Sequence, residues 1–317
     1  MHGQAVAPRL PAGPGVYRFR NAAGRVLYVG RAVSLRRRVT SYWDDLGDRQ
    51  HLARMVTQID RVEVVVCGSE HEAAWLERNL LERSLPRWNR TPGGQEVVVC
   101  VRLDQSARSP GLTVIHGDGQ RPTPDLVRTF GPYLGGARVR LAVAGLHRVF
   151  PLAYAPDAAT GSVRDFGRER GVRPADRDVL ATRIAAVLDR DPDAVALARE
   201  LLTARRDAAS GVQAYESAGR IQAELTALDW VTSAQRVTSA AGENADVAGW
   251  ADGVLVRFEV RDGRLNGWRQ GPRSRAQAGP WLARTPPAWR EFASQNAMLA
   301  AVLSAGQQRP EPARRAG

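Results

Sequence analysis

Along the first ninety residues the apolar positions switch between the period of a strand and the period of a helix. Gly15-Val-Tyr-Arg-Phe-Arg20 and Val26-Leu-Tyr-Val-Gly30 alternate, with turn residues Asn21-Ala-Ala-Gly24 between them, which predicts a β-hairpin. With the turn centred between Ala22 and Ala23, Tyr17 and Tyr28 fall directly opposite each other. Ser34 then caps a helix that runs to Trp43 and shows Leu35, Val39 and Tyr42 on one face. A second helix is expected over 49–59 and a strand over 61–67. A third helix is expected from Glu70 to Leu85, where Pro86 stops it.

Further on, 96–133 reads as β-rich, with a loose Gly/Pro/Asp-rich interior, and 138–150 as a helix. Residues 177–236 are helical in pattern. Two alternating runs at 253–260 and 265–270 enclose Asp262-Gly263, a hairpin turn signal, and a last helix is expected over 289–304. The result is an α+β chain in six parts. Residues 1–95 form a small antiparallel sheet with helices, 96–154 a β-rich connector, and 155–176 a polar linker. Residues 177–240 form a helical region, 241–305 a β-hairpin and helix, and 306–317 a tail expected to be disordered.

Composition narrows the class. With 44% apolar residues over 317 positions the chain can bury a core, which excludes a disordered protein. Two cysteines without a C-x-x-C exclude a disulfide scaffold and a cysteine-built metal site. There is no long apolar run and no apolar leader at the start, so a soluble, cytoplasmic protein with no membrane contact is expected. Net charge is +12, but all 45 basic residues are arginine, so part of that excess is compositional bias. Position says more than total. The first 43 residues hold eight arginines and no acid, whereas 44–317 hold 37 arginines against 33 acids. A phosphate-facing surface is expected near the start.

The third helix gives the sharpest chemical signal. On a helical wheel Glu77 falls at the centre of an apolar arc, with Ala73, Ala74, Leu80 and Leu81 on either side. Glu72 and Glu82 fall on the far side, where solvated charges are expected. A carboxylate on a buried face needs an arginine or a metal. One carboxylate plus waters suits a single Mg²⁺ or Mn²⁺. Arg38 borders the core face beside the tyrosines and fits a phosphate clamp, while Arg37 points outward. His51 and His71 lack metal-ligand spacing and are expected at the surface.

PGVY at 14–17 followed by YVG at 28–30 resembles the paired motif of the GIY-YIG nucleases. GRAVSLRRRVTSYW (30–43) and EHEAAWLERNLLERSLPRWN (70–89) are similar to the UvrC branch of that family. So are FGPY at 130–133 and VLVRFEVRDGRLNGWR (254–269), and AYESAGRIQAELTALDWV (214–231) resembles its UVR helical pair. Arg31 stands where a lysine is usual, and Trp88 where a tyrosine is usual. The four-cysteine cluster that usually follows FGPY is missing, and the plan is nearest the Cho-type single-nuclease proteins.

The resemblance implies metal-dependent hydrolysis of one DNA phosphodiester, a single incision in damaged DNA during nucleotide excision repair. Glu77 would hold one Mg²⁺ or Mn²⁺, Tyr17 would help activate water, Tyr28 would orient Tyr17 or the nucleophile, and Arg38 would hold the scissile phosphate. Arg31, Tyr42 and Asn89 would support the phosphate and metal shell. The UVR-like stripe Ala218, Ile221, Leu225 and Leu228 fits a helix buried in its own domain and a helix docked on a partner equally well. Five arginines against five acids over 199–236 favour a protein partner there, and the resemblance implies UvrB. Two other readings stay open: a non-catalytic DNA or UvrB docking module, and a nuclease for branched or foreign DNA. The intact Tyr17, Tyr28, Arg38 and Glu77 set argues for an enzyme.

Overall fold

The first hairpin forms where the alternation places it, in a different register. A computed structural model of the chain describes residues 4, 6–44, 46–91, 96–117, 125–158, 160–239 and 242–307. Strands β1 (Gly15–Arg20) and β2 (Val26–Ala32) are antiparallel, with Tyr17 opposite Gly30 and Phe19 opposite Tyr28. The expected direct Tyr17–Tyr28 pair is therefore corrected. The two are diagonal neighbours on one face, with ring centroids 6.2 Å apart. The turn is the cause. Gly24 N–H donates to the Asn21 carbonyl, Asn21 N–H to the Arg25 carbonyl and Arg25 N–H to the Asn21 side chain, with Gly24 at φ 75°. A loop closing on a left-handed glycine moves the pairing centre toward β2.

β3 (Arg61–Val66) pairs with the other edge of β1, giving the order β2-β1-β3. Both edges of β1 are thus paired. Tyr17 and Phe19 face a core with Leu35, Val39, Tyr42, Leu52 and Met55. Ser34 caps α1 (Leu35–Thr40) by accepting from the Arg37 N–H, and the chain leaves the helix as a turn before Trp43. The helix expected over 49–59 is a 3-10 segment, Gly47–Leu52, continued by the short α2 (Ala53–Val56). α3 (Glu70–Arg83) is capped by Ser69 and packs against β1 and β2.

The chain groups into two compact units, Met1–Gln95 with Gln235–Gly317, and Glu96–Ala234. The second unit has a sheet of β4 (Val98–Asp104), β5 (Gly111–His116) and β6 (Val127–Leu134) in the order β5-β4-β6. Helix α4 (Gly136–Val149) follows it. The expected linker over 155–176 contains a helix, α5 (Gly161–Glu169), whose Phe166 lies against Tyr154 and Arg170. The helical pattern over 177–236 resolves into α6 (Arg177–Leu188), α7 (Pro192–Gly211) and α8 (Tyr215–Thr232). Ile221, Leu225 and Leu228 of α8 lie in this unit's own core with Leu146 and Leu202. Arg148 closes that core with a bidentate pair to the buried Glu224, at 2.6 and 2.7 Å.

The C-terminal part of the first unit is a three-stranded meander rather than a hairpin. β7 (Ala245–Ala251) precedes β8 (Val254–Arg261) and β9 (Arg264–Pro272). Asp252-Gly253 and Asp262-Gly263 make both turns with positive φ at all four residues. Two helices follow, α9 (Arg275–Arg284) and α10 (Pro287–Gln307). Residues 306 and 307, expected to begin a disordered tail, continue α10, and the rest of that tail lies outside the described residues. Within the unit, Arg18 is buried against Glu63 and stacks 3.7 Å over the Trp268 ring of β9. Asn296 of α10 bonds the Val66 backbone at the edge of β3.

Candidate active site

Tyr17 is fully buried in the central strand, and the glycine opposite makes room for it. A Cβ on Gly30 would sit 2.5 Å from the Tyr17 hydroxyl and 2.8 Å from the Tyr28 ring. The hairpin register therefore requires glycine at 30, because the Tyr17 ring lies across its backbone.

Three side chains converge beside it. The Tyr17 and Tyr42 hydroxyls are 2.8 Å apart, and Arg38 Nε donates to the Tyr17 hydroxyl at 3.4 Å. Tyr28 hydrogen-bonds Tyr42, which puts the three phenols in one chain. Arg38 is half-buried and Arg37 exposed, as the wheel for α1 predicts. Burial pushes the Tyr17 phenol well above the usual tyrosine range; the Tyr28 neighbour adds to this, while Arg38 and the Tyr42 hydrogen bond oppose it. Burial raises Tyr28 and Tyr42 in the same way, and the Glu77 charge contributes to the rise at Tyr28.

Glu77 meets β2 at Arg31. One carboxylate oxygen takes the Arg31 backbone N–H and the other lies near its Nε, both at 3.2 Å. The side chain is 21% exposed, so it sits at the rim of the apolar arc rather than in its interior. Among the described residues no three of His, Cys, Asp and Glu cluster as metal ligands. The donor set available is one carboxylate, which fits a hard divalent cation that completes its shell with water. The donor set does not suit zinc, which takes three or four protein ligands.

Asn89 commits its amide to the Val29 backbone, accepting from N–H at 3.0 Å and donating to C=O at 2.8 Å. It ties the segment after α3 to β2, one residue from Tyr28. The structure thus brings Tyr17, Tyr28, Arg38 and Tyr42 together, with Glu77 and Arg31 at the β2 edge and Asn89 holding that edge. Two expectations are corrected. Glu72 is buried, not solvated: it accepts from the Gly68 N–H at 2.6 Å and the Arg236 N–H at 2.8 Å. His71 is buried as well, accepting from Trp75 Nε1 at 3.1 Å, whereas His51 is exposed as expected. The missed signal for Glu72 is local, since Ser69-x-x-Glu72 has the spacing of a capping box.

The profile of the UvrC-like GIY-YIG domain matches residues 13–90. UvrABC system protein C of Geobacter metallireducens is 32% identical over 277 residues, covering 82% of this chain and 44% of that protein. Its counterpart in Mycolicibacterium paratuberculosis is 33% identical over 283 residues, 82% of this chain and 42% of that one. The chain thus spans less than half the length of these relatives. Among solved structures, the GIY-YIG N-terminal endonuclease domain of UvrC from Thermotoga maritima, bound to magnesium as its catalytic cation, is 33% identical. It covers 27% of this chain and 92% of its own, with a TM-score of 0.25.

Proposed function

Through residues 13–90 the chain belongs to the UvrC-like GIY-YIG nucleases, and from that premise we propose that it is a metal-dependent DNA endonuclease that makes a single incision in damaged DNA. The observation that carries this reading is the convergence of Arg38 and Tyr42 on the Tyr17 hydroxyl, with Glu77 at the adjoining edge. A docking module has no use for two buried phenols and a half-buried third in hydrogen-bond contact beneath a half-buried arginine.

Glu77 would hold the cation, Mg²⁺ or Mn²⁺, through the carboxylate that now lies 3.2 Å from Arg31 Nε. When bound, the cation supplies positive charge that stabilises the departing strand oxygen. Arg38 holds the scissile phosphate and is never deprotonated, so it can only donate. Tyr17, its proton retained by burial, orients the attacking water through its hydroxyl oxygen. Tyr42 and Tyr28 fix that hydroxyl from behind, and Asn89 keeps β2 in place.

UvrB is the proposed protein partner, through a surface other than the Ile221, Leu225 and Leu228 stripe. The stripe with Ile221 and Leu225 is internal core. What remains exposed is the tip between α7 and α8, where Val212 and Tyr215 are 77% and 67% exposed.

The test is nicking of a lesion-bearing plasmid with UvrA and UvrB, in Mg²⁺ and in EDTA. One metal-dependent cut on the damaged strand is expected from the wild type and none from Glu77→Gln. Undiminished nicking by folded Glu77→Gln, or nicking that survives EDTA, overturns the reading.

A further inference from the structure

The helix that carries Glu77 has a second interface. Glu72, Leu76, Asn79 and Arg83 follow i, i+4, i+7, i+11 spacing and form one stripe on the side of α3 turned from Glu77. Three of the four are engaged by the C-terminal segment of the same unit, and the fourth is buried. Glu72 takes the Arg236 N–H and lies 3.4 Å from its guanidinium. Leu76 is fully buried. Arg83 donates to Glu259 at 2.7 Å and Asn266 at 3.0 Å. Asn79 is 2% exposed, and its amide nitrogen faces three acceptors: the Val237 carbonyl at 3.1 Å, the Thr238 hydroxyl at 3.0 Å and the Leu265 carbonyl at 3.3 Å.

We propose that Asn79 is a positioning residue for the metal: its amide fixes the height and rotation of α3, and so the point at which Glu77 presents its carboxylate. The proposal rests on the metal-dependent reading above. Asparagine is a poor residue for a helix interior, because its side chain competes for backbone bonds. Here it bonds none of its own helix and reaches two other backbone segments. Those segments are themselves joined, Leu265 N–H donating to the Val237 carbonyl at 2.8 Å, so the amide is held against a rigid bridge. Asn79 lies two residues from Glu77, about 3 Å along the helix axis. Little can flex between the anchor and the carboxylate, and a ligating group must be held to about 0.5 Å.

The test separates positioning from general stability. Asn79→Leu keeps most of the volume and removes the bonds. Asn296→Ala is the comparator, because Asn296 is an equally buried asparagine that holds the β3 edge, remote in sequence from α3. Mn²⁺ affinity is read without DNA from the electron paramagnetic resonance signal of the free ion, alongside Tm and the Mg²⁺ dependence of nicking. Asn79→Leu is expected to weaken Mn²⁺ binding about tenfold, the scale of losing a group that orients a metal ligand, with KM for DNA unchanged. Thr238→Val, which leaves α3 untouched, is expected to shift affinity the same way and serves if Asn79→Leu fails to fold. Unchanged Mn²⁺ affinity in folded Asn79→Leu or Thr238→Val overturns the proposal. So does equal weakening by Asn296→Ala at a matched drop in Tm. A wild-type chain that binds no Mn²⁺ removes the metal reading and this proposal together. Wild-type binding alongside an unaffected Asn79→Leu removes this proposal alone.

Discussion

The hydroxyl of Tyr42 lies 2.8 Å from that of Tyr17, although 25 residues separate them in the chain. The contact makes Tyr17 the meeting point of the site, because Arg38 also donates to the same oxygen. Removing the Tyr17 hydroxyl empties that point, whereas removing the Tyr42 hydroxyl takes away one of its two supports. Tyr17→Phe should lower single-turnover nicking by about 10²-fold, the scale of a misplaced reactant. Tyr42→Phe should lose only about tenfold, near the value of one hydrogen bond. Equal losses in both would mean that the phenols act as an undivided relay.

Gly30 sets the geometry of that meeting point. A methyl group there would press on the Tyr17 oxygen, its ring carbon at 2.7 Å and the Tyr28 ring at once. Overpacking of this kind typically costs about 1–3 kcal/mol. Gly30→Ala should therefore lower Tm and, unlike Tyr42→Phe, reduce nicking as strongly as Tyr17→Phe does. Nicking at the wild-type rate would show that the rings are free to move aside.

The buried phenols also set an alkaline limit on stability. Burial raises Tyr17, Tyr28 and Tyr42 above the free value, and Tyr133 to about 12. In the unfolded chain each titrates near pH ~10. Above that pH the unfolded state loses protons that the folded state keeps, so their contribution, complete below pH ~10, falls as pH rises. Absorbance at 295 nm should show these tyrosines still protonated at pH ~11 while the fold lasts. Tm should drop across the same range, and Tyr17→Phe should soften that drop. Full tyrosine ionisation in the native protein at pH ~10.5 would contradict the burial of the site.

Much of this site is legible in the sequence because it is local. Ser34 and Ser69 cap the helices that carry Arg38 and Glu77, and helical periodicity puts Arg38 at a core boundary and Glu77 at the centre of an apolar arc, although the structure leaves Glu77 at the rim of that arc. What sequence periodicity misses is decided by distant partners. Glu72 has a local capping signal in Ser69, but the partner that covers it, Arg236, comes 164 residues later. Asn79 is silent until Val237 and Leu265 arrive. The hairpin register depends on how Asn21–Arg25 closes, not on the alternation of the strands. β7 and α9 were within reach: Asp252-Gly253 is a hairpin signal, and Ser274 with Gln277 is a capping box.

The UVR-like helices give the last prediction, in which burial decides between two uses of one stripe. Ile221 is 3% exposed and packs in the core of its own unit. An aspartate there would be a buried charge without a partner, which places Ile221→Asp among the most damaging substitutions, above about 4 kcal/mol. The unit should unfold in Ile221→Asp, and loss of UvrB binding in that variant would report unfolding rather than a lost contact. Tyr215 stands at the exposed tip beside Val212, so Tyr215→Ala should change stability by less than about 0.5 kcal/mol. An exposed aromatic is the residue type that most often dominates an interface. Tyr215→Ala and Val212→Ala should therefore weaken capture of UvrB while Tm and circular dichroism stay at wild-type values. Full UvrB binding by the double variant, with the fold intact, would move the partner surface away from this tip.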